Sequence, residues 1–132
     1  MNETHQDKKT RYPNMAANSA EYKTLLHHTE ALSLSVKPDL VSLSQALQAA
    51  TLIGSDDGAY MRNQIHGERL RAATLVERIQ NRVLQNPANY HVFIGVLGRD
   101  ENQYGYILQQ LQSTYRSFSG EFIRVDITVD SG

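Results

Sequence analysis

The sequence contains no cysteine and no tryptophan, and it has no apolar run near the 18 residues a membrane span needs. Without cysteine there is no disulfide framework, no thiolate nucleophile and no cysteine-ligated zinc, a composition compatible with a reducing cytosol. The first thirty residues lack the apolar core of a secretory signal, so a soluble, cytoplasmic protein is expected. Charge of one sign is missing too. Thirteen basic and fourteen acidic side chains leave a net charge of −1, so no overall field draws the chain to nucleic acid or anionic lipid. Charge-driven recognition must come from local patches. No glycine-rich phosphate cradle and no nucleophile elbow occurs, and 132 residues suffice for one small core.

The most informative stretch runs from Glu68 to Leu97. Ala72, Leu75, Val76, Ile79 and Val83 recur at helical spacing and fall on one side of a wheel turned about 100° per residue, which predicts a core face. Arg71, Arg78 and Arg82 share a strip on its flank, at spacings of seven and four. Asn86 and Pro87 then predict an N-cap and first turn, stopping one helix and starting the next. Tyr90, Phe93, Ile94 and Leu97 form the second apolar face, with Gly98 placed to end it.

Residues 1–17 are polar and basic with little to bury, and predict a flexible tail. Asn18 with Glu21 resembles a capping pair that opens a first helix through Tyr22, Leu25, Leu26, Thr29 and Leu32, bent near Ser33. Pro38 suits the first turn of a second helix carrying Leu40, Leu43, Leu47 and Ala50 and ending at about Thr51. Ser55 or Asp56 is placed to cap a short third helix over Ala59 to Gln64. Helices four and five are the pair just described. Asp100 with Gln103 opens a sixth that turns Tyr104, Ile107, Leu108, Leu111 and Tyr115 inward. The expected fold is all-α, a six-helix antiparallel bundle over 18–116. Beyond it, Ile123, Val125, Ile127 and Val129 alternate with polar residues, a strand pattern that predicts a linker or the start of a following domain over 117–132, the chain being part of something longer.

Reactive groups do not assemble in the sequence. His27 and His28 are adjacent, point about 100° apart and read as a solvated helix face rather than a metal pair. His66-Gly67-Glu68 lacks the cysteines of a zinc deaminase, and Asp56-Asp57-Gly58 lacks the ligand register of a calcium loop. No nucleophile, base, metal site or cofactor is nominated, and no enzyme is expected. Nucleic-acid binding through Arg69, Arg71, Arg78 and Arg82 is an alternative opposed by Glu68 and Glu77 among them; an orphan helical module with another ligand is a second.

Four groups of residues carry a family resemblance: Leu25 and Leu26; LQAATLIGSDDGAY from Leu47 to Tyr60; Leu75-Val76 with Ile79; and NPANYHVFIGVL from Asn86 to Leu97. Over Glu21 to Gln112 the chain resembles the caspase recruitment domain, a death-fold bundle of six antiparallel helices. The missing tryptophan in helix five separates it from the death domain, and the missing R-x-D-L from the death-effector type. The resemblance implies an adaptor that binds other death-fold domains, also as oligomers or filaments, in apoptotic or innate-immune signalling, with no nucleic acid, membrane or small-molecule substrate as partner. In that family a basic surface on helices one and four meets an acidic one on helices two and three. Matching positions are Lys23, Arg71, Arg78 and Arg82 on the basic side, and Asp39, Asp56 and Asp57 on the acidic side.

Overall fold

Helix α5, Glu68–Gln85, is the element around which the others pack. Its predicted face, from Ala72 through Leu75, Val76 and Ile79 to Val83, is buried, and each large apolar side chain removed from water contributes about 1.5–3 kcal/mol. A computed structural model describes residues 18 to 131, with side chains through 120. The tail expected over 1–17 lies outside the described residues. In chain order the helices are α1 (Ala20–His27), α2 (Thr29–Val36), a 3-10 turn (Lys37–Asp39), α3 (Leu40–Ala49), α4 (Ser55–Arg62), α5, α6 (Asn89–Leu97) and α7 (Glu101–Ser131). Since α1 and α2 are one helix interrupted at His28, this is the expected order of six. α5 touches α1, α2, α3, α4 and α6, and α7 closes the opposite side against α1, α2 and α6. Among the described residues no helix is long and apolar enough to cross a membrane.

Helix ends depart from the sequence expectations in physically legible ways. Ser19, not Asn18, is the first cap, its hydroxyl accepting from the Tyr22 N–H at 3.1 Å. The interruption falls at His28 (φ −113°, ψ 24°) rather than near Ser33, and Thr29 bonds back to the Leu26 carbonyl at 2.9 Å, competing with the helical ladder there. α4 starts at Ser55, four residues early, because Gly54 is its cap and Asp57 reaches back to the Gly54 N–H at 3.4 Å. Asp100 accepts from the Gln103 N–H at 3.2 Å, as expected. Asn86 binds the Ala88 N–H at 3.2 Å, and α6 begins only at Asn89.

No strand forms over 123–129. The backbone of α7 passes position 117 without a break and is helical to Ser131. A strand needs a partner for its N–H and C=O groups; among the described residues there is none, whereas a helix satisfies its own.

α3 ends in a left-handed turn at Thr51 (φ 61°). The Leu52 N–H reaches the Leu47 carbonyl at 2.9 Å and the Thr51 N–H the Gln48 carbonyl at 3.0 Å, with Leu47 and Leu52 both buried. Glycine normally fills this position, and a β-branched residue there is strained. Thr51→Gly is expected to stabilise the fold by about 1 kcal/mol. A urea midpoint at or below that of the unsubstituted chain would show the strain to be relieved elsewhere.

Candidate interaction surface

The arginine strip on α5 divides on folding. Arg71 is buried, with Nε donating to the His66 carbonyl at 3.0 Å and Nη1 to the Met61 carbonyl at 2.7 Å. It ties down the end of α4 and the loop that follows, so it leaves the predicted basic surface. Its wheel position borders the core face, and the carbonyls that capture it are brought there only by the fold. Arg78 stays half exposed and pairs with Asp57 of α4, Nε to Oδ1 at 3.1 Å. Arg82, one turn further on, is exposed.

The acidic positions divide as well. Asp57 is committed twice, to the α4 cap and to Arg78. Asp56 is exposed beside it, in the first turn of α4, where a carboxylate suits the helix dipole. Asp39 accepts from the Tyr104 hydroxyl at 2.9 Å and so fastens the α2–α3 joint to α7. Burial first, then that bond, pushes the Tyr104 hydroxyl well above its ordinary range. The geometry thus joins Asp57 to Arg78 across α4 and α5; exposed Asp56 adjoins the first in sequence and exposed Arg82 follows the second by one turn, a charged seam with its acid on α4 and its base on α5.

No known protein family, curated protein or solved structure matches the chain.

Lys23 belongs to a different region. Its Nζ lies 5.0 Å from the centre of the Phe118 ring on α7, in a polar contact between α1 and α7. In the same contact Glu21 accepts from the Tyr115 hydroxyl at 3.2 Å and lies 3.4 Å from His91 Nε2, while Tyr90 stacks on Tyr115 at 5.2 Å. The Tyr90 hydroxyl is buried with no hydrogen-bond partner among the described residues. The two histidines expected on a solvated face take part here: His27 is edge-on to Phe118 at 6.4 Å, and His28 Nε2 meets Thr114 Oγ1 at 2.6 Å.

Two outcomes follow from this division of roles. Arg71→Ala is expected to cost about 2 kcal/mol or more in a denaturant titration, because the Met61 and His66 carbonyls lose their donor. Arg82→Glu should leave stability unchanged; equal losses in both would contradict the assignment of Arg71 to the core and Arg82 to the surface. Acidification gives the second. Burial, and then neighbouring His27, hold the His28 value below its ordinary 6.5. A value lower in the folded than in the unfolded chain gives stability present above about pH 6.5 and lost as pH falls below it. His28→Gln should flatten the stability profile between about pH 7 and 5; an unaltered slope would exclude His28 as its source.

Proposed function

We propose that the chain is a non-enzymatic interaction module of the caspase-recruitment type, a death-fold adaptor acting in cytoplasmic apoptotic or innate-immune signalling. Two kinds of observation support this reading. The all-helical bundle is what such a module requires, and of the apolar residues in the resembling segments Leu25, Leu47, Leu52, Ile53, Leu75, Val76, Ile79, Tyr90, Phe93, Val96 and Leu97 are core, whereas Leu26 and Val92 are exposed. The charged seam carries the reading. Arg82 and Asp56 are exposed at its two ends, with the Arg78–Asp57 pair between them holding α4 and α5 in fixed register.

A partner whose surface runs base to acid in the opposite order meets both ends at once. Arginine suits the role because its planar fork matches a carboxylate with two hydrogen bonds. Such charges set encounter rate and partner choice more than affinity. Growth into filaments through this seam would need the acid of one copy to serve the base of the next, and Asp57 is already spent inside the chain. The seam is therefore assigned to a different death-fold domain with a fuller acidic face.

The test is co-purification with a panel of isolated caspase recruitment domains. Capture of at least one member is expected, lost in Arg82→Glu with helicity by circular dichroism intact, and regained when the captured domain carries the complementary swap, acid to arginine. Capture of none, or capture indifferent to Arg82→Glu, would sink the proposal.

A further inference from the structure

The second half of α7 is held differently from the first. Tyr104, Ile107 and Leu111 are buried in the core and fix the helix as far as its third turn. From Thr114 to 120 its side chains are half-buried or exposed, and polar and aromatic contacts take over. A segment with few buried apolar contacts opens at low cost while the rest of a fold stays closed. Three contacts fasten it. The Tyr115 hydroxyl donates to Glu21 Oε2 at 3.2 Å, His28 Nε2 meets Thr114 Oγ1 at 2.6 Å, and the Phe118 ring lies under Lys23 Nζ and edge-on to His27. One of the three works against itself. Tyr115 stacks on Tyr90 at 5.2 Å, with 18° between the ring planes, and the Tyr90 hydroxyl is left buried with no partner among the described residues. A stranded buried donor is the costly case of hydrogen bonding, and withdrawal of Tyr115 opens the stacked face of that ring to water.

Protonation acts on the two sides of this contact in opposite directions. On one side the His27 and His28 rings lie 5.0 Å apart, and Lys23 is already charged beside the Phe118 ring that His27 touches. The groups brought to His28 by its neighbours do not offset a positive charge there. α7 brings Thr114, Tyr115 and exposed Arg116, α5 brings the neutral Gln80 amide to the Leu25 carbonyl and Thr29, and Glu30 of α2 is exposed. Burial and then His27 hold the docked His28 ring below its ordinary 6.5. The undocked ring therefore takes its proton at higher pH than the docked one, and falling pH favours undocking. On the other side His91 Nε2 lies 3.4 Å from Glu21 Oε2, a pair that ties α6 to α1 without α7 and becomes an ion pair when His91 is protonated. Acid thus loosens the hold on α7 and tightens the two helices beneath it.

We propose that residues 114 to 120 of α7 form an acid-released latch, which swings off α1 and α6 beyond the anchor at Leu111 while the bundle beneath stays folded. Release uncovers Tyr90 and the histidine side of α1 together. The latch uses none of the seam residues and stands independently of the partner assigned to them.

Amide hydrogen exchange of the full chain tests it, read by mass spectrometry at about pH 7 and about pH 5.5 and expressed against the unstructured-chain rate at each pH. Protection over 112–120 is expected to fall at least about threefold on acidification while that over 68–97 holds. His28→Gln, which takes no charge, should keep the segment protected at both pH values, and His28→Arg, charged at both, should leave it open at both. Tyr90→Phe, lacking the stranded hydroxyl, should raise its protection at the higher pH. No fall on acidification, a fall shared by the whole chain, a pH response that persists in His28→Gln, equal opening in the Gln and Arg variants, or unchanged or lower protection in Tyr90→Phe would each overturn the proposal.

Discussion

Two polar side chains on α5 hold the ends of neighbouring helices, and the arrangement of the bundle depends on them. Gln80 Nε2 donates to the Leu25 carbonyl at 3.3 Å and to Thr29 Oγ1 at 2.8 Å, which serves the backbone at the interruption between α1 and α2. Arg71 does the same for the end of α4. A buried carbonyl left without a donor costs about 1–3 kcal/mol. The Leu25 carbonyl already accepts from the His28 N–H at 3.2 Å and the Thr29 hydroxyl at 3.4 Å, so Gln80 adds a donor from across the fold there, and Arg71 adds one at the end of α4. α5 supplies both from the face it also buries against the core. Its apolar residues give the drive to pack, and these two polar ones fix where α1, α2 and α4 end against it.

That division explains what the sequence made legible. The core faces of α5, α6 and α7 were readable because burial of apolar area is repeated at a fixed period and each helix carries its own record of it. Arg71 and Gln80 were not. Both lie at the edges of the core face on the α5 wheel, where a polar residue is equally compatible with solvent, and the carbonyls they serve lie 10 and 55 residues away in the chain. The charged seam was half legible: its arginines and aspartates could be named, but pairing Arg78 with Asp57 inside one molecule needed the packing of α4 on α5. The histidines failed for the same reason, since Thr114 and Phe118 approach α1 only through the fold. The strand pattern at the end of the chain failed differently, because alternation records two faces but does not provide a second strand.

Position along α5 separates its buried work from its exposed charge. Arg71, near the start, is spent on the Met61 and His66 carbonyls, and Arg82, eleven residues on and about 16 Å further at the helical rise, stays exposed. Arg78 lies between them and pairs with Asp57. The spacing between Asp56 on α4 and Arg82 on α5 is therefore set by how α4 docks, which is the same packing that buries Met61 and Arg71. Surface charges of this kind are screened at physiological salt and weak singly, so in the proposed interaction they select the partner more than they supply its affinity.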